Sequence, residues 1–218
     1  MKRRTLDILF SVGGVGLATL LLVLGVVMTS NANFAKNYVH DQLSQQNITF
    51  KTAATLTPEE AKSANLVKYA GQKLTTGKQA EVYANEFIGL HLQSIANGQT
   101  YADLGTPQSD LSAKVKAATA SNDPALPDLQ KQLTAITTQR DTLFKGETLR
   151  GLLLTSYGFS VFGEKGSQVA TVSFAVAGLL VLLSMAGFVH AFRTPVTVPF
   201  AATQRATSEK VSQQLVGV

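Results

Sequence analysis

Residues 8–30 read ILFSVGGVGLATLLLVLGVVMTS, 23 positions without a charge between Asp7 and Lys36. At a rise of about 1.5 Å per residue, such a stretch covers a hydrocarbon core of roughly 30 Å with some tilt to spare. Inside lipid no water satisfies backbone N–H and C=O groups, so a spanning segment of this kind is helical. Ser30-Asn31-Ala32 has the small-x-small form of a cleavage site. The apolar run is nevertheless longer than the about 7–15 residues of a secretory signal, and it reads as a retained span. A second stretch, residues 169–192, has 24 uncharged positions between Lys165 and Arg193. The expected organisation is a cytoplasmic start (1–7), a first span (8–30), a helical domain (31–168), a second span (169–192) and a cytoplasmic tail (193–218).

Charge placement orients this arrangement. Of the net +5, the two ends carry +4 through Lys2, Arg3, Arg4, Arg193, Arg205 and Lys210 against Asp7 and Glu209. Residues 31–168 are nearly balanced at +1. Basic residues beside the spans follow the positive-inside pattern: a two-pass protein of the cytoplasmic membrane, both termini cytoplasmic and the central domain periplasmic. A nucleic-acid surface would instead cluster cations on the soluble part, where they alternate with acids. With no Cys there is no disulfide framework, thiolate ligand or thiol nucleophile.

The central domain reads as a series of helices. Thr57-Pro58-Glu59-Glu60 opens one to about Lys73, with an N-cap, a first-turn Pro and early acids. Thr76 opens the next, with Val82, Tyr83, Phe87, Leu90 and Ile95 as its buried stripe and Asn97-Gly98 as its stop. Thr100–Asp103 forms a small capping turn, and Thr106-Pro107 starts a helix to about Ala120. Ser121-Asn122-Asp123-Pro124 turns the chain into a longer pattern from Pro127, giving an antiparallel helical hairpin. Asn47-Ile48-Thr49-Phe50 alternates polar and apolar, as a short extended piece does. The expected fold class is an all-α membrane protein, two antiparallel transmembrane helices flanking a helical extracytoplasmic domain.

Chemistry-bearing constellations are absent from this pattern. His40, His91 and His190 form no HxH or HExxH arrangement, and Glu86 precedes His91 by five residues rather than four. There is no GxSxG elbow and no SxxK. Gly13-Gly14-Val15-Gly16 lies inside a span, where it cannot cradle phosphate. The expectation is therefore no catalytic, metal or cofactor-binding residue.

Contact residues are easier to nominate. Gly14 with Ala18, and Ser173 with Ala177, are small-xxx-small pairs that let helices approach closely. Glu147 and Arg150 are an i,i+3 pair between Gly146 and Gly151, two glycines that each cost a helix roughly 1 kcal/mol. Glycine at that cost implies a close backbone contact or a bend. Residues 149–162 (LRGLLLTSYGFSVF) have almost no polar face, so Leu152, Leu153, Tyr157 and Phe159 are expected to contact core, membrane interface or partner.

Four segments carry a resemblance to a known family: NYVHDQL at 37–43, ANEFIG at 84–89, GQTYADLG at 98–105 and TLFKGETLRGLLL at 142–154. They resemble an actinobacterial family of two-span membrane proteins that includes accessory subunits of mammalian-cell-entry (Mce) lipid importers. The likeness covers roughly residues 1–192. Family members are sometimes labelled aromatic-ring-opening dioxygenases, a label for which these residues offer no metal site. The resemblance implies a non-catalytic subunit whose partners are a membrane permease, extracytoplasmic lipid-binding subunits and membrane lipid. A subunit of a respiratory supercomplex, or an envelope enzyme or sensor, are the alternative readings.

Overall fold

The computed structural model describes residues 2–196, so the reading of the tail through Pro199, Val211, Leu215 and Val216 lies outside the described residues. The chain is mostly helical, with no strand among the described residues. Two helices are long and apolar enough to cross a membrane, α1 (Arg3–Gln45) and α6 (Leu126–Arg193). Residues 127–192, expected as a hairpin arm, an apolar stretch and a span, belong to the single 68-residue α6. Its glycines lower helix propensity, but no proline interrupts it between Pro127 and Pro195.

The described residues form two compact units, one of residues 2–32 with 164–196 and one of Asn33–Gly163. In the first, small residues form a seam between α1 and α6. A Cβ on Gly14 would collide with Ser184, one on Gly187 with Ser11, and one on Gly166 would touch Ala32. Positions early in α1 thus face positions late in α6, and the two helices run antiparallel. Ala18, Ser173, Ala177 and Ala191 are buried along the seam, while Phe10, Leu20, Leu182 and Met185 face outward. At one end Asp7 and His190 are 2.9 Å apart, and the Arg4 guanidinium lies over the Phe192 ring.

The seam makes a direct prediction. Ser11 Cβ lies 3.6 Å from the position a Gly187 Cβ would take, inside the disulfide range of about 3.5–4.5 Å. A Ser11→Cys/Gly187→Cys variant of this cysteine-free chain should cross-link in membranes on mild oxidation. Adding Gly14→Leu, which forces Ser184 away, should abolish the cross-link. No cross-link in the Ser11→Cys/Gly187→Cys variant would refute the seam.

The second unit is knit from short elements around a core. Asn47, in the left-handed region, turns the chain out of α1. Residues 48–50 then pair antiparallel with 72–74, Phe50 N–H donating to the Gln72 carbonyl and Leu74 N–H to that of Ile48. The single helix expected from Thr57 to Lys73 is replaced by a 3-10 turn (Glu60–Lys62) and α2 (Ala64–Tyr69). The break comes at Ser63, which takes an extended conformation so that its hydroxyl caps the Leu66 N–H.

Next, α3 (Gly77–Val82) starts at a capping box of Thr76 and Gln79 and runs through a six-residue π-helical turn, Tyr83–Ile88, into α4 (Gly89–Ile95). Asn97 and Gly98, both at positive φ, stop it. Of the expected stripe Val82 is buried and Tyr83, Phe87, Leu90 and Ile95 are half-buried, while the fully buried line is Ala80, Ala84, Ile88, Leu92 and Ala96. A spacing of four overshoots the α period of 3.6 and drifts by about 40° per step. The wider π turn takes up that excess and keeps the stripe on one face. The second line, Tyr83, Phe87 and His91, has the same spacing and is half-buried.

Finally α5 (Gly105–Ser121) ends at Asn122 in the left-handed region and packs antiparallel on the start of α6. Gln108 donates from Nε2 to Thr137 Oγ1 and accepts at Oε1 from Arg140, holding the hairpin. The stripe packs on Val39 and Leu43 of α1 and on Leu143 and Leu153 of α6.

Candidate interaction surface and a buried carboxylate

A charge cluster lies in the second unit at the foot of an aromatic row. Phe50, Tyr83, Phe87 and His91 follow one another with ring centroids 5.2, 4.7 and 4.5 Å apart. The Glu60 side chain is fully buried. Lys51 Nζ donates to both its oxygens at 2.8 and 3.1 Å, and the Thr57 N–H donates at 2.7 Å. His91 Nε2 stands 3.2 Å from Oε1, an ion pair when the ring is protonated. His91 Nδ1 faces the Phe87 carbonyl at 2.7 Å; a carbonyl only accepts, so Nδ1 carries the hydrogen.

Burial pushes the Glu60 carboxyl up. The Lys51 hydrogen bond, the Thr57 N–H and the charges of Lys51 and His91 outweigh it and hold the group below its ordinary value. Burial also raises the Tyr83 hydroxyl, with the Glu60 charge adding to the effect. Glu60 has its oxygens committed to neighbours, and its chemistry is that of a clasp joining the 48–51 segment, the 3-10 turn and α4. Sequence reasoning placed Glu60 among the acids in the first turn of a helix. The signal for more was Thr57-x-x-Glu60, a reciprocal capping box in the structure.

Glu86 is equally committed. It accepts from Ser63 Oγ and from Asn65 Nδ2, tying the π turn to α2. Among the described residues no three His, Cys, Asp or Glu side chains are grouped as metal ligands would be.

Two grooves flank the C-terminal part of this unit. One, of about 500 Å³, is the more polar of the two, with Asn85, Gln99, Thr100, Glu147 and Arg150 beside Leu92 and Leu143 in its lining. Arg150 donates from NH1 to Glu147 at 3.1 Å and from NH2 to Asn85 Oδ1 at 3.3 Å, so the i,i+3 pair also reaches the π turn. Gly146 sits against Leu92, where a Cβ would overlap the leucine methyl, while Gly151 meets nothing within 4 Å. The close approach expected of this motif belongs to Gly146 alone.

The other groove, of about 530 Å³, is apolar, between the outer end of α1 and α6. Leu152 (63 % exposed) and Phe159 (46 %) face it from the surface, whereas Leu153 (3 %) belongs to the core. The apolar surface expected of residues 149–162 is smaller by that residue, because neighbouring positions on a helix point about 100° apart and Leu153 turns into the core. Tyr157 is half-buried, its Cα 3.3 Å from where a Gly77 Cβ would sit. Gly14, Ala18, Ser173 and Ala177 lie in the other unit, on the seam between α1 and α6.

The arrangement defines a helical protein with two membrane-capable helices and a second unit that carries two grooves. Comparison of the chain with protein-family models, with curated proteins and with solved structures finds no match to any of the three.

Proposed function

We propose that the chain is a non-catalytic accessory subunit of a larger membrane complex, an Mce-type lipid or fatty-acid import system. In this reading it sits in the cytoplasmic membrane with both termini inside and the second unit in the periplasm. What supports it is where the four segments carrying the resemblance fall. All four reach the two grooves: residues 84–89 and 98–105 with Leu143, Glu147 and Arg150 line the polar one, and residues 37–43 with Leu149, Leu152 and Leu153 line the apolar one. Glu60 and Glu86, meanwhile, are tied up in clasps rather than aimed into a cavity.

The polar groove is the proposed seat for an extracytoplasmic partner, and the outward leucines and phenylalanines of the spans face a permease and lipid. A tag on the C-terminus should co-purify Mce proteins with their ATPase; cytochromes in their place would replace this assignment with the respiratory one. For the topology, a Ser121→Cys variant should react with a membrane-impermeant thiol reagent in intact cells and a Thr5→Cys variant should not. Labelling of Thr5→Cys from outside would overturn it.

A further inference from the structure

We propose that the apolar groove of the second unit holds one lipid acyl chain, resting on the reading that the two apolar helices cross a bilayer. Three observations point to this occupant. No charged residue lines the groove, so a carboxylate or phosphate headgroup would find no cation in it. One wall is an aromatic ladder, Phe34–Tyr38–Phe159, with centroids 5.8 and 6.1 Å apart. Phe34 follows Ser30, the last residue of the first uncharged segment, by four positions or about 6 Å of the same helix, and Phe159 precedes the second uncharged run by ten positions of α6.

Dimensions choose between a lipid chain and a protein helix. On α6 the lining runs from Leu149 to Phe159, eleven residues spanning about 15 Å of helix. That is half of a roughly 30 Å hydrocarbon core, the depth one acyl chain fills in its own leaflet. Averaged over this length, the 530 Å³ groove is about 35 Å² in section. An α-helix with side chains is roughly 10 Å across and needs more than twice that section. The groove therefore takes a single chain, its headgroup left at the membrane surface.

The protein has no Trp, so single tryptophans report their surroundings without background. Full-length Gln42→Trp and Ser156→Trp variants place the fluorophore in the groove on α1 and α6; Val23→Trp places it in the first span and Val67→Trp on α2, away from the groove. Each is reconstituted in phosphatidylcholine vesicles with brominated or unbrominated acyl chains, with helix content checked by circular dichroism. In brominated vesicles Val23→Trp and the groove variants should lose most of their emission, while Val67→Trp should keep it. Two groove variants are used so that misfolding of one leaves the other decisive. Quenching of Val23→Trp with none at a folded groove variant overturns the acyl chain and leaves the membrane reading standing. Equal quenching of Val67→Trp also overturns it, since the whole unit would then lie in lipid. An unquenched Val23→Trp removes the membrane reading and the proposal together.

Discussion

The Lys51→Met variant should unfold its second unit about 2–3 kcal/mol more easily than the wild type at pH 7. Removing one member of a fully buried ion pair costs roughly 3–5 kcal/mol, because the other charge is stranded. The lower figure applies here because the Lys51 side chain is 35 % exposed and water screens part of the interaction. Thermal unfolding in detergent should show the loss as a midpoint about 5–10 °C lower. Adding Glu60→Gln should recover part of it, since the stranded charge is gone. A Lys51→Met/Glu60→Gln double variant no more stable than Lys51→Met alone would show that Lys51 acts through packing and not charge.

Acid separates these cases further. The folded Glu60 carboxyl lies below its ordinary value of 4.5, so its contribution is fully present above that pH. It is lost as the pH falls through the lower, folded value. In Lys51→Met, burial is less opposed and the folded value rises, so acidification should relieve strain instead of adding it. The stability gap between wild type and variant should therefore narrow below pH 4.5. A gap that widens there would contradict the assignment of Glu60 as a buried, ionised clasp.

Gly146→Leu should cost about 2 kcal/mol in the same unfolding assay, the result of two opposed terms. Leaving glycine in a helix interior gains roughly 1 kcal/mol. Against this, the new Cβ overlaps Leu92 Cδ2 and stands 3.2 Å from its Cγ, and Leu92 is buried with little room to move. Overpacking of such a site costs about 1–3 kcal/mol, and the rest of a leucine side chain adds to it. Gly151→Ala, five positions on, should instead raise stability by up to about 1 kcal/mol, because nothing lies within 4 Å of its Cβ. Combining Gly146→Leu with Leu92→Ala should restore part of the loss. If Gly146→Leu were neutral, α4 would not approach α6 as closely as the structure has it.

The features legible in the sequence are those set by neighbouring residues. Uncharged runs marked the two membrane-capable helices, and Asn97-Gly98, Asn122, the Thr76 helix start and the Thr100–Asp103 turn fell where their local chemistry required. The clasp was opaque because its members come from distant positions: Lys51 is nine residues before Glu60 and His91 far beyond it. Residues 149–162 were hard to place for a different reason. A run with almost no polar face has no period to read, and one continuous α6 presents some of it to the core and some outward. The Ala80–Ala96 line went unnamed because its spacing of four does not fit the α-helical period used to pick Val82, Tyr83, Phe87, Leu90 and Ile95.

That π turn also bears on how the length of this chain can change. The turn holds one residue more than an α-helical turn would. If one residue between Tyr83 and Ile88 were deleted, the stretch could close into ordinary α-helix. Ala80 and Leu92 would then stand eleven positions apart, about 20° from perfect alignment. The segments on either side would keep their faces toward the core, and His91 would keep its approach to Glu60. The loss would fall on Glu86 and its tether to Ser63 and Asn65. The wide turn is thus a place where the deletion of one residue can be absorbed without rotating α4 away from the core.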